Sequence, residues 1–166
     1  MSDSLIAQIG LVPHAHTAIE HGIDWATDAT VHHAIIAFSE TECVSCEPAG
    51  ALVRPISRFA DAYWSHFTFE PGQQYKIVSW ALANVGKKYG YLADFAIGAE
   101  LVLDIDTPGW LEKLINNGSH YECAQFCDAA YVAAGKDLFP DNRAPGTVYP
   151  GSFAPIWQAN GWMRKP

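Results

Sequence analysis

Residues 121 to 135 read Tyr121-Glu122-Cys123-Ala124-Gln125-Phe126-Cys127-Asp128-Ala129-Ala130-Tyr131-Val132-Ala133-Ala134-Gly135. The apolar side chains recur at steps of three and four, which is the period of one face of an α-helix. They are Cys123, Phe126, Cys127, Ala130, Tyr131 and Ala134. Gly135 is a typical residue at the end of a helix. The stretch therefore predicts a helix that begins close to Cys123.

A cysteine in the first turn of a helix faces the positive end of the helix dipole. That environment favours the thiolate over the thiol, and the backbone N–H groups there also stabilise an oxyanion. Cys123 is therefore a candidate nucleophile. The alternative is that Cys123 is a small buried apolar residue, as free cysteines usually are.

The composition is that of a compact globular chain. At 166 residues it fits one domain of ordinary size, with 49% hydrophobic and 17% charged residues. The net charge of −8 argues against nucleic acid or an anionic membrane as the main partner, since both require a basic surface. We expect a single domain over residues 1–166.

The sequence also bears on location. The first residues lack the basic and apolar regions of a secretory signal. The most apolar stretch, residues 91 to 103, is too short to span a bilayer and is interrupted by Asp94 and Glu100. The 4 cysteines are too few for a disulfide scaffold. We expect a soluble, cytoplasmic protein with reduced thiols and no transmembrane segment.

The other predicted elements make an α+β fold, with a small antiparallel sheet packed against the Cys123 helix. Strands are predicted over Val31–Phe38, Cys43–Glu47 and Ala51–Ile56. The clearest other helix is Gln73–Tyr89. Weaker patterns predict short helices over residues 58–65, 91–103 and 108–117, loops over residues 1–30, and short strands or turns around residues 148–149 and 154–157.

A nucleophilic thiol needs a base within hydrogen-bond reach and a group that orients the base. His32 and His33 lie next to each other at the start of the first predicted strand, so their side chains point to opposite faces. A turn centred between Ser39 and Glu40 places His32 on the same face as Glu47, whose carboxylate would then orient the ring. A register shifted by one residue places His33 there instead.

These residues, in this order, resemble the circularly permuted branch of the NlpC-type papain-like cysteine hydrolases, which includes the YiiX-like and lecithin:retinol acyltransferase-like proteins. That branch carries a His-x-Gly-Ile strand, a polar residue before a Gly-Val turn, and a later helix that begins with cysteine. His32 matches the first motif with Ala34 in place of glycine, Glu47 the second and Cys123 the third. Residues 86–91 also resemble a Gly-x-x-Tyr-x-Tyr stretch of those proteins.

The resemblance implies a cysteine peptidase or amidase with a Cys123, His32 and Glu47 triad that cleaves an amide or ester through an acyl-thioester. It implies no metal or organic cofactor. The expected substrate is a small peptide, a peptidoglycan stem peptide or an acyl lipid.

Two other readings remain open. Cys43 and Cys46, with Cys123 and Cys127, and His120 as a further ligand, would instead form a structural zinc site. The aromatic residues between 59 and 69 and the 6 tryptophans would instead line a peptide- or sugar-binding groove of a non-enzymatic module.

Overall fold

The computed structural model describes residues 4–13, 31–89, 120–141, 143 and 145–163. The loops predicted over residues 14–30 and the helices predicted over residues 91–103 and 108–117 lie outside the described residues. Within the described residues the fold is α+β, as predicted, with an antiparallel sheet and three helices.

The main sheet has five antiparallel strands in the order β4-β3-β2-β1-β5. Their bounds are Ile9–Val12 (β1), His33–Ala37 (β2), Glu42–Glu47 (β3), Gly50–Pro55 (β4) and Tyr63–Trp64 (β5). The three predicted strands correspond to β2, β3 and β4, which are joined by short hairpins. A separate parallel pair joins Lys88–Tyr89 (β6) to His120–Tyr121 (β7).

β1 is an inner strand that pairs with β2 on one side and β5 on the other, although the sequence predicted loop there. Its four residues are all buried, so the strand lacks the alternation of apolar and polar residues that would reveal it. Gly10 is required by its neighbours, because a Cβ at this position would lie 3.0 Å from Ile35 and 3.2 Å from the Trp64 ring. The close approach of Trp64 brings β5 beside β1.

The first helix, α1, spans Gln73–Ala83 and is six residues shorter than predicted. The Asn84 side chain donates a hydrogen bond to the Trp80 carbonyl (2.7 Å) at its end. The chain then turns at Gly86, whose φ is +88°. The Gly86 N–H donates to the Ala51 carbonyl (2.7 Å), which draws the chain toward β4 instead of continuing the helix.

The second helix, α2, spans Cys123–Ala133, and the predicted start at Cys123 is confirmed. It packs on β2, β3 and α1. Its buried side chains share one core with those of the near face of the sheet, Ala34, Ile36, Val44 and Cys46. We call this face of the sheet, which contacts α2, the helix face.

The opposite face of the sheet, which we call the far face, carries a smaller core of Val12, Ile35, Cys43 and Phe59. A single 3-10 turn over Ile56–Phe59 covers it. This turn and β5 occupy the region where the sequence predicted a short helix over residues 58–65, so that prediction is wrong.

The third helix, α3, spans Pro150–Ala159 and includes residues 154–157, where short strands or turns were predicted. Pro150 suits the first helical turn, where an N–H has no partner within the helix. Trp157 is fully buried and donates from Nε1 to the Tyr63 carbonyl (2.9 Å). Among the helices of the described residues, none has the length and apolar character to cross a membrane.

Candidate functional site

Cys123 is the first residue of α2 and lies within a capping box formed by Glu122 and Gln125. The Glu122 carboxylate accepts from the N–H of Gln125, and the Gln125 side chain accepts from the N–H of Glu122 (3.4 Å). Gln125 also donates from Nε2 to the Gly146 carbonyl (3.1 Å). These contacts fix the backbone on both sides of Cys123, whose exposed fraction is 3%.

His32 lies one residue before β2, and its N–H donates to the Val12 carbonyl (2.9 Å). Ala34 and Ile36 face α2 and share a core with Cys123. Because side chains alternate along an extended chain, His32 belongs to the same face as Ala34. By this alternation, the first two predicted site residues, Cys123 and His32, are assigned to the same side of the sheet.

Glu47 belongs to the far face, and the structure does not bring it to His32. Ile35 pairs with Ser45 and Ile36 with Val44, so the same register sets Glu47 opposite His33. The predicted register, which paired Glu47 with His32, is therefore wrong by one residue.

The turn between β2 and β3 explains the shift. Its central residue is Glu40, whose carboxylate accepts from the Ser4 hydroxyl (2.6 Å) and the Leu5 N–H (3.2 Å). The Ser39 hydroxyl accepts from the N–H groups of Thr41 (3.2 Å) and Glu42 (2.9 Å). These bonds stabilise a turn with one central residue, whereas the predicted turn was centred between two.

The far face holds a polar chain from His33 to Arg54. His33 is buried, and its Nε2 lies 2.8 Å from the Ser45 hydroxyl. Arg54 donates two hydrogen bonds to the Glu47 carboxylate, from Nε (2.9 Å) and from a terminal nitrogen (2.8 Å). Burial by itself would raise the pKa of Glu47. The hydrogen bonds and charge of Arg54, with a further hydrogen bond from Ser45, outweigh burial and hold that pKa below its usual value.

The other three cysteines have surroundings that differ from a helix start. Cys127 lies one turn beyond Cys123, fully inside the core, and burial raises its pKa well above the usual value. Burial also raises the pKa of Cys43 to about 12. Cys46 contacts the Tyr121 carbonyl through Sγ (3.1 Å).

The four thiols do not converge as a zinc site would require. Cys43 lies in the far-face core and Cys46 in the core of the helix face, because three residues along a strand reverse the side-chain direction. Among the described residues, no three histidine, cysteine or acidic side chains are grouped to hold a metal ion.

Aromatic rings lie beside the start of α2. The Tyr121 ring packs against Phe126 and against Trp80 of α1, with ring centroids 5.9 Å and 5.6 Å apart. The Lys87 ammonium lies 5.5 Å from the centre of the same ring. Tyr121, which precedes Cys123 by two residues, and Trp80 are both partly exposed. With Lys87 they form an amphipathic surface, which we call the wall.

Sequence reasoning missed Asp128, on α2. Its exposed fraction is 1%, and neither carboxylate oxygen has a hydrogen-bond partner among the described residues. Burial, with the nearby charge of Asp137, raises its pKa to about 7, although Arg143 acts in the opposite direction. The signal was available, since a lone acid lies between Cys127 and two alanines in an otherwise apolar helix.

The fold and this geometry define the class only as an α+β protein with a buried cysteine at a helix start. The chain matches no protein-family model, and a search of curated proteins also finds no match.

Proposed function

We propose that the protein is a cysteine-dependent hydrolase that cleaves an amide or ester through an acyl-thioester. Cys123 is the nucleophile and His32 the general base in this proposal. It rests on the residues that resemble the permuted NlpC-type cysteine hydrolases and on the geometry of the described chain.

The observation that carries the proposal is the position of Cys123 at the first residue of α2. Strand alternation assigns His32 to the same side of the sheet. The dipole of α2 favours a thiolate at this end, and it also favours the negative oxygen of a tetrahedral intermediate. The remaining buried thiol of α2, Cys127, has no comparable environment, because burial favours its neutral form.

The proposed reaction has two steps. His32 accepts the thiol proton as Cys123 Sγ bonds to the carbonyl carbon, and the proton then passes to the leaving amine or alcohol as its bond to carbon breaks. In the second step His32 takes a proton from water, the resulting hydroxide attacks the thioester, and the proton returns to the Cys123 sulfur as the acid is released. Neither step requires a metal or a redox cofactor.

Glu47 has a different role in this proposal from the one that the resemblance implies. Its carboxylate is bound by Arg54 on the far face, where His33 and Ser45 also lie. We therefore place Glu47 among the residues that hold β3 and β4 together. It acts on His32 only through the backbone of the sheet.

The substrate class is a small peptide, a peptidoglycan stem peptide or an acyl lipid. The partly exposed rings of Tyr121 and Trp80, with the Lys87 ammonium, would contact the part of the substrate next to the cleaved bond. This wall suits a substrate that combines an apolar portion with an anionic group.

The test is trapping of the acyl-enzyme. The purified protein is incubated with peptidoglycan fragments, peptides and acyl lipids, quenched in acid, and analysed by mass spectrometry. The expected result is an acyl adduct on Cys123 that disappears with hydroxylamine.

Two variants serve as controls. Cys127→Ala should retain the adduct and Cys123→Ala should lose it. Stoichiometric acylation of another residue, or turnover by folded Cys123→Ala protein, would overturn the proposal.

A further inference from the structure

The inference concerns Asp128 and the chain that covers it. Residues 136–141, 143 and 145–149 follow α2 and pack back on it, and we call them the covering segment. Phe139 and Val148 of this segment are buried in the same core as α2. Gly146 accepts the hydrogen bond from Gln125, so the segment is tied to the start of α2 as well as to its middle.

Asp128 has an exposed fraction of 1% and lies one helical turn after Gln125, which bonds to Gly146 of the covering segment. Neither of its oxygens has a hydrogen-bond partner among the described residues. An ionised carboxylate that is buried without hydrogen-bond partners loses its hydration free energy with no compensating interaction. The neutral acid has a much smaller desolvation penalty. The folded state is therefore more stable when Asp128 is protonated.

The charges that act on Asp128 come from the covering segment. Asp137 opposes ionisation and Arg143 favours it. Arg143 is bound to the Asp141 carboxylate by three hydrogen bonds of 2.6 to 3.0 Å and stacks on the Phe139 ring. On α2 itself, the neighbouring Cys127 is held neutral by burial. Within the part of the chain that the structure describes, the positive charge that acts on Asp128 is thus engaged by another carboxylate.

We propose that the protonation of Asp128 controls how tightly the covering segment packs on α2 and, through Gln125, how well the helix start at Cys123 is ordered. Loss of the proton leaves a bare charge under the segment. The charge is relieved when the segment lifts to admit water or when Arg143 leaves Asp141 for Asp128. Either movement strains the bond between Gly146 and Gln125, and Gln125 is the residue that caps the N–H of Glu122.

The direction of the pH effect follows from the proton balance. The pKa of Asp128 in the folded protein is about 7, whereas an unfolded chain has the usual value near 4. Between these values the folded state holds the proton more tightly, so stability falls as the pH rises, and above about 7 the loss is complete. The covering segment therefore packs tightly on α2 at acidic pH and loosens at alkaline pH.

The inference stands apart from the proposed hydrolase activity, because it concerns only packing and can be measured without a substrate. The test is hydrogen exchange of the whole protein by mass spectrometry at pH 5.5 and pH 8.5, corrected for the intrinsic exchange rate. Peptides that contain the covering segment and residues 122–126 should both exchange faster at pH 8.5. The exchange rate should rise at most roughly thirtyfold, which is the ratio of ionised to neutral Asp128 at 1.5 pH units above its transition.

Asp128→Asn cannot ionise and should abolish the difference between the two pH values in both regions. Asp128→Ala, which adds no buried donor, gives the same test if the asparagine variant folds poorly. Glu42→Gln removes one exposed negative charge at the start of β3, which pairs with Pro55 of β4, and should behave as the unaltered protein.

Two results would overturn the inference. The first is a pH dependence that persists in Asp128→Asn or Asp128→Ala. The second is a change confined to the covering segment that leaves residues 122–126 unaffected, which would remove the coupling to the helix start.

Discussion

The ring of His33 bonds to the hydroxyl of Ser45 across β2 and β3, with His33 Nε2 2.8 Å from Ser45 Oγ. Both side chains are buried on the far face, and the Phe59 ring lies 5.8 Å from the His33 ring. This contact fixes the direction of His33. By strand alternation, the neighbouring histidine, His32, is then assigned to the helix face with Cys123.

The first prediction concerns Glu47, which binds Arg54 in the same polar chain. Glu47→Gln should lower the free energy of unfolding by about 1–2 kcal/mol, since it weakens two charge-assisted hydrogen bonds from a partly buried Arg54. Urea denaturation at pH 7 measures this. The pH profile for alkylation of Cys123 should stay unchanged, because Glu47 lies on the far face. A profile shifted as strongly as that of a His32 variant would contradict the position assigned to Glu47.

The stability that Glu47 contributes should also depend on pH. Its pKa in the folded protein is below the usual value, so the contribution is fully present above about 4.3 and is lost as the pH falls through the lowered value. The difference in urea midpoint between the unaltered protein and Glu47→Gln should accordingly shrink below pH 4. A difference that is constant from pH 7 to pH 3 would exclude this linkage.

The second prediction compares two glycines with positive φ. At Gly50, φ is +114° and a Cβ would lie 2.7 Å from the Lys87 carbonyl, whereas at Gly135, φ is +76° and a Cβ would meet nothing within 4 Å. Gly135→Ala should cost about 1 kcal/mol of stability from backbone strain alone. Gly50→Ala should cost about 2–4 kcal/mol, because the clash also disturbs the hydrogen bond from Ala51 to Lys87. Thermal and urea unfolding compare the two variants, and equal losses would contradict the close approach.

The helix at Cys123 and strands β2 to β4 could be predicted because the pattern of apolar and polar side chains in each matches its secondary structure. On α2 the apolar positions follow the helical period over eleven residues, and Gly135 marks the end. β1 shows no such pattern, since it is short and buried on both faces. α3 was obscured by Pro150 and Pro155, which are usually signals for turns.

The candidate site could be predicted residue by residue but not as an arrangement. Strand alternation separates His32 from His33, yet the face each occupies depends on whether the turn has one central residue or none. That choice is made by the bonds of Glu40 to Ser4 and Leu5, which lie 36 and 35 residues away in the sequence. No local pattern contains this information. The lone acid in an apolar helix marks Asp128 in the sequence, but the covering segment that accompanies its burial is visible only in the structure.

The third prediction concerns which thiol reacts. In native protein at pH 7, iodoacetamide should label Cys123 faster than Cys127 or Cys43, whose pKa values are raised by burial. Tandem mass spectrometry of the digested protein measures the order. Cys127→Ala should keep both the labelling of Cys123 and any turnover. Abolished turnover in folded Cys127→Ala protein would mean that the nucleophile is assigned wrongly.

The last prediction separates the two histidines. Removal of a general base typically lowers a rate ~10²–10⁴-fold, and it also raises the pKa of a thiol that the base had stabilised as an ion pair. His32→Ala should therefore slow alkylation of Cys123 at neutral pH and shift its pH profile toward that of a free thiol.

His33→Ala is the matched control, since it removes the adjacent ring and the bond to Ser45 but leaves His32 in place. It should lower stability by about 1–3 kcal/mol, because the Ser45 hydroxyl loses a partner in a buried place, and the alkylation profile of the folded fraction should change little. His33→Gln, which can still reach Ser45, should recover part of that stability. If His33→Ala shifts the alkylation profile and His32→Ala does not, then His33 acts on the thiol, and the face assigned to each histidine is reversed.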